Sequence, residues 1–164
     1  MEQGIDVTAR RHIDTVVLTT GGRTERFAMA QLPDLPEGAF VQMGDFLKPA
    51  LDRVVARQIP HVVIGGMVGK LTKMAQGESI THAGRNPVNM GMVAEIAAAV
   101  GAPAEVVAQI RAGITARYAA EQMAELGLST EFYQGLARRV VERLRCDYHH
   151  AFSLRVLVCD FEGQ

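Results

Sequence analysis

Gly65-Gly66-Met67-Val68-Gly69-Lys70-Leu71-Thr72-Lys73 is the segment whose residue types and spacing point most directly to chemistry. It follows the run His61-Val62-Val63-Ile64, whose β-branched residues favour a buried strand. Glycines at the strand's end permit positive φ and close approach of a ligand. The helix predicted to follow opens with unpaired N–H groups, which attract anions. Lys70 and Lys73, three residues apart, share one face of that helix and would add positive charge. A nucleotide phosphate loop is disfavoured: Ile64 stands where its first glycine belongs, and Leu71 replaces the magnesium-binding hydroxyl residue. The plain alternative is a tight strand-to-helix turn carrying solvated lysines.

Two further glycine corners follow strand-like runs, Gly21-Gly22 with Arg23, Thr24 and Glu25 behind it, and Gly44-Asp45. Arg23 and Arg85 suit bidentate contacts with a carboxylate, whereas a lysine acts as a point charge. Asp45 is either a partner for a ligand hydroxyl or an N-cap, the cap being the preferred reading. His82 lies in a loop rich in Gly and Asn, where its near-neutral pKa suits proton transfer; the competing reading is a histidine that stabilises its own turn. Met67, Met74, Met90 and Met92 are read as flexible core filler.

These corners need a scaffold, and the order of patterns supplies one. Thr15 to Thr19, Ala39 to Met43, His61 to Ile64 and Phe152 to Cys159 read as strands. They alternate with helical patterns, which argues for an α/β fold with a mostly parallel sheet and helices on both faces. Phe46, Leu47, Ala50, Leu51, Val54 and Val55 recur at helical spacing behind Asp45. Met90 to Val100, Ala104 to Ala112, Thr115 to Leu126 and Thr130 to His149 form a helix-rich block before the final strand, the last helix capped by Ser129 or Thr130. In such a sheet ligands bind beyond the carboxyl ends of the strands, so the three glycine corners should gather on one rim.

With 164 residues, 48% of them hydrophobic and 21% charged, residues 1–164 read as a single α/β domain. A net charge of −1 gives no general attraction to nucleic acid, and no apolar run approaches the ~20 residues of a membrane span. Cys146 and Cys159 lack metal-ligand spacing and read as reduced, buried thiols; no metal site is expected. The first residues lack a leader pattern, so the expected location is cytoplasmic.

Taken in order, Thr19-Thr20-Gly21-Gly22-Arg23-Thr24-Glu25, Val41-Gln42-Met43-Gly44-Asp45-Phe46, Gly65 to Gly77 and Thr81-His82 resemble the cobalt-precorrin-5B (C-1)-methyltransferase family of anaerobic cobalamin biosynthesis. The resemblance covers roughly residues 5–100 by this motif logic. It corresponds to the carboxy-terminal portion of longer members, whose amino-terminal Thr-Thr-Gly-Ala-Cys motif is not found in this chain. What it implies is methyl transfer from S-adenosylmethionine to C-1 of a cobalt-containing tetrapyrrole, with cobalt present only as part of the substrate. The implied donor contacts are Gly21, Gly22, Gly44, Asp45, Gly65 and Gly66. The implied substrate contacts are Arg23, Lys70, Lys73 and Arg85, facing the macrocycle's carboxylates, with His82 as acid or base. Two other readings stay open: a non-catalytic corrinoid-binding or assembly module that needs the amino-terminal region, and self-association or pairing with a separate amino-terminal part.

Overall fold

Four strands, β1 (Thr15–Thr19), β2 (Phe40–Gln42), β3 (His61–Gly66) and β4 (Ser153–Val158), form one sheet in the order β2-β1-β3-β4. All neighbouring pairs are parallel. This is a computed structural model, and it describes residues 1–78, 81, 87–113 and 115–162. Thr19 is in register with both Gln42 and Gly65, and Gly66 with Val158, so the carboxyl ends of the strands line one rim. The order changes direction between β1 and β3: one connection leads outward to β2, the next back across to β3. A crevice forms at such a switch point.

The helices are α1 (Glu2–Arg10), α2 (Gly22–Gln31), α3 (Leu47–Ala56), α4 (Val68–Ala75), α5 (Met90–Ala99), α6 (Ala104–Ala112), α7 (Ala116–Glu125) and α8 (Ser129–Asp147). Val16, Val17 and Leu18 are all fully buried because both faces of the sheet are covered. The alternation of the strand divides them: Val16 and Leu18 join a large core, whereas Val17 joins Ala28 and Val63 beneath α2. The large core continues through Leu71 and Met74 of α4 into Phe132, Leu136 and Val140 of α8. The helix-rich block is therefore a second apolar layer behind α4, with α8 also packed on β4. An α/β fold with a parallel sheet and a helical block before the last strand is what the alternation of patterns predicted.

Several boundaries differ from the sequence reading, each for a physical reason. The second strand is shorter than Ala39 to Met43, because Ala39 ends a 3₁₀ turn over Glu37–Ala39. The third runs past Ile64 through Gly65 and Gly66, which pair with Leu157 and Val158 of β4. Asp45 is not the cap of α3; Phe46 occupies that position without a side-chain hydrogen bond. Leu128, not Ser129 or Thr130, caps α8. Asn89 and Thr115 do cap their helices, accepting from the N–H groups of Met92 and Tyr118 at 3.1 Å each.

Away from the rim, the Asp6 carboxylate clamps α1 to α3. It accepts from Arg53 Nε and Nη2 at 2.8 and 2.6 Å and from Arg57 Nε at 2.8 Å. Hydrogen bonds from Arg53 and then Arg57 hold its carboxyl well below the usual carboxylate range.

Candidate functional site

The first wall of the site is made where β1 gives way to α2. Gly21 N–H donates to Thr24 Oγ1 at 3.1 Å, and that hydroxyl lies 3.0 Å from Gly21 O and 3.2 Å from Thr20 Oγ1. The turn is thus fixed by its own small side chains. The first intrahelical bond runs from Glu25 N–H to Gly21 O at 3.0 Å, which leaves the N–H groups of Gly22, Arg23 and Thr24 ahead of the ladder.

The second wall is built the same way where β3 gives way to α4. Leu71 N–H donates to Met67 O at 3.0 Å, so the N–H groups of Val68, Gly69 and Lys70 precede that ladder. Two helix N-termini therefore flank the switch point, each with the positive end of its dipole towards the rim.

Between them lies a cleft of about 400 Å³, lined by the Thr20 to Thr24 turn, by Met67, Gly69 and Lys70, and by Phe161 beyond β4. Its size is within the range of small-molecule sites, ~300–1,000 Å³. The floor is bare backbone at two points: a Cβ on Gly21 or Gly69 would meet no atom within 4 Å. Gly21 is extended, with φ 174°, a conformation open to any residue. What glycine contributes at both positions is the missing side chain.

The far wall is held by two arginines. Arg23 Nη1 donates to Phe161 O at 3.5 Å, and the Arg117 guanidinium lies 4.5 Å from the centroid of the Phe161 ring. Cys159 is buried just below; burial and then Asp160 push its thiol pKa up, and Arg23 opposes them. On the α4 side, Lys70 Nζ lies 2.7 Å from Asp45 Oδ1, a charge contact rather than an aligned hydrogen bond. Asp45 O also accepts from Thr81 N–H at 2.9 Å, which ties the segment after α4 to the rim. Among the described residues, the buried hydroxyls of Thr19 and Thr81 have no hydrogen-bond partner, an unfavourable state unless a further group, water or a ligand satisfies them.

Of the residues singled out from sequence, Gly21, Gly22, Arg23 and Lys70 meet around this one cleft, and Asp45 touches it through Lys70. Gly44 sits on the same rim with φ +59°, serving the turn into α3. Gly65 and Gly66 have no positive φ and do not line the cleft. A Cβ on Gly66 would stand 3.0 Å from Leu71 Cδ2, so its bareness admits α4 against the sheet. Lys73 is only 4% exposed and does not line the cleft, because a step of three residues turns it about 60° away from Lys70, towards the protein. His82 and Arg85 lie outside the described residues. Cys146 is exposed, contrary to the buried thiol expected there, since it lies on the outer side of α8.

Phe161 escaped sequence reasoning as a site residue, and Gly69 was read only as part of the glycine-lysine segment, not as a ligand contact. The signal for Phe161 was register: a residue just past β4 must reach the rim where β1 and β3 end. Among the described residues, no group of three or more His, Cys, Asp or Glu could hold a metal ion, and no helix is long and apolar enough to cross a membrane.

Comparison with known proteins places the chain in a family. Residues 80–164, just over half of the chain, match the family model described as CbiD, C-terminal domain. The chain is 63% identical over 161 residues to a cobalt-precorrin-5B C(1)-methyltransferase of Methylococcus capsulatus, an alignment covering 98% of this chain and 42% of that protein. The protein of the same name from Variovorax paradoxus is 58% identical over 162 residues, covering 99% of this chain and 44% of the relative. That from Leptospira interrogans is 37% identical over 166 residues, with the same two shares, 99% and 44%. The chain thus spans less than half the length of these relatives, and the aligned part includes the cleft. No solved structure gives a significant match. The chain belongs to the CbiD family, of which it carries the C-terminal domain.

Proposed function

We propose that this chain forms the donor side of a C-methyltransferase that acts on C-1 of cobalt-precorrin-5B in anaerobic cobalamin biosynthesis, with S-adenosylmethionine as methyl donor. The reaction is the one in the relatives' name, and the chain matches them over nearly its whole length. The observation that carries the donor assignment is the cleft at the β1/β3 switch point, floored by the bare backbone of Gly21 and Gly69 and flanked by two helix N-termini. An elongated ligand with a carboxylate at one end fits that donor set: N–H groups for the carboxylate, bare backbone for close approach, and Met67 and Phe161 for apolar parts.

When bound, S-adenosylmethionine supplies an electrophilic methyl group on a good sulfonium leaving group. The protein's own tasks are then alignment and exclusion of water. Gly21, Gly22 and Gly69 let the backbone approach the ligand. Met67 and Phe161 exclude water from its apolar side. Lys70, positioned by Asp45, and Arg23, positioned against Phe161, offer cations to carboxylates at the cleft mouth. His82 is the candidate for taking up a proton from the acceptor. The setting is a soluble one in the cytoplasm.

A second reading is favoured by coverage. Because the chain matches only 42–44% of the relatives' length, it also suits a corrinoid-binding or assembly module completed by an amino-terminal portion. Calorimetric titration with S-adenosylmethionine and S-adenosylhomocysteine separates the two. Heat of binding to this chain supports the donor side. If the full-length Methylococcus capsulatus relative binds both and this chain binds neither, the donor assignment fails and the module reading stands.

A further inference from the structure

The two free edges of the sheet are built differently. β2 offers only three residues, a short edge of the kind that resists pairing. β4 offers six, Ser153–Val158. The N–H groups of Ser153 and Cys159 donate inward, to Pro60 O and Gly66 O, at 2.9 and 2.8 Å. By the alternation of a parallel ladder, Leu154, Val156 and Val158 turn their N–H and C=O groups away from β3. Among the described residues, no strand pairs with that side.

The surroundings are apolar. Val156, Leu157 and Val158 are only half-buried. A groove of about 390 Å³ follows the edge, between Phe27 of α2 and Tyr133 and Ala137 of α8. The layer beneath α2 is thin: Leu32, Leu35, Phe40 and Leu157 pack on its small core without being fully covered. A long apolar edge strand left in this state invites another strand.

The relatives indicate what would cover it. They are more than twice as long as the part they share with this chain, and that part is their C-terminal one. In α1, Gly4 lies against Val41 of β2, while Thr8 Oγ1 donates to Gly38 O at 2.6 Å, lower on the sheet. The Met1 end of α1 therefore points to the rim, and sequence preceding the shared part must arrive there. From that rim, β4 is three strand spacings from β2, ~14 Å.

We propose that the free edge of β4 takes an extended, apolar segment from the amino-terminal portion of the polypeptide, which adds a fifth strand to the sheet. The inference rests on the chain acting as the C-terminal part of a longer enzyme, and not on donor binding. Residue-resolved amide hydrogen exchange on this chain and on the full-length Methylococcus capsulatus relative tests it. In this chain, the amides of Val156 and Val158 should exchange on the order of 100-fold faster than those of Arg155 and Leu157. In the full-length relative, all four aligned positions should be protected. Fast exchange persisting there at the positions of Val156 and Val158 overturns the proposal. So does protection of both outward amides in this chain alone; if that protection grows with protein concentration, the occupant is a second copy. Calorimetry with the donor is a separate readout, so either inference can fail without the other.

Discussion

Gly69 separates stability from binding more cleanly than any other position in the cleft. It is the second residue of α4, has no positive φ, and a Cβ there would meet no atom within 4 Å. Replacing it with alanine removes backbone freedom from the unfolded chain without a clash, so Gly69→Ala should stabilise the fold by ~0.5 kcal/mol. For a chain of this size that raises Tm by about 1–2 °C. The same open space is the cleft, so Gly69→Leu should keep the fold but fill the position proposed for the ligand. Overpacking of a fitted site costs ~1–3 kcal/mol, a roughly 5- to 150-fold rise in Kd. Differential scanning calorimetry gives the first quantity, and titration with S-adenosylhomocysteine the second. A folded Gly69→Leu variant with unchanged affinity would refute the assignment of the cleft. A Gly69→Ala variant destabilised by more than ~1 kcal/mol would refute the geometry on which it rests.

Other consequences follow from the packing and the charges. Because its folded pKa is depressed, the Asp6 carboxylate stabilises the fold above the ordinary carboxylate range, and that stability is lost as pH falls below ~4. The urea midpoint of Asp6→Asn should therefore lie below wild type at pH 7, with the gap closing between pH ~4 and ~2; a constant gap would contradict the clamp. Gly66→Ala drives a Cβ to 3.0 Å from Leu71 Cδ2 and should cost ~1–3 kcal/mol in urea unfolding. Partial relief in the double variant with Leu71→Ala would mark packing, whereas purely additive costs would point elsewhere. Cys146 is exposed and Cys159 is buried with a raised pKa. One thiol per chain should react quickly with a disulfide reagent and the second only on unfolding; two fast thiols would contradict the covered floor.

How far the fold could be read from sequence depends on whether its signals were local. The continuous apolar runs Val16 to Leu18 and Val62 to Ile64 announced strands buried on both faces, and their alternation with helices announced a parallel sheet. The rim followed, because parallel strands end together. α1 and α2 gave weaker signals: one contains Gly4 and opens on polar residues, and the other begins at Gly22 and buries only Thr24, Phe27 and Ala28. Asp45 looked like a cap because a local rule favours Asp there. A partner 25 positions away, Lys70, took its side chain instead. Lys73 was placed on the ligand face by spacing alone, yet the apolar layer of α8 behind α4 turned that side of the helix inward. Pairing with β4, the last strand of the chain, decided that Gly65 and Gly66 remain strand rather than turn. The family was legible from four short motifs taken in order, and residues 80–164 match its model.

The most direct test of the cleft is a titration of ¹⁵N-labelled chain with S-adenosylhomocysteine, followed amide by amide. The largest shifts should fall on Gly21, Gly22, Gly69 and Lys70, the backbone groups of the two facing helix N-termini. Shifts confined to another recess, such as that between Leu47 and Tyr148, would contradict it, as would no shift in either this chain or the full-length Methylococcus capsulatus relative.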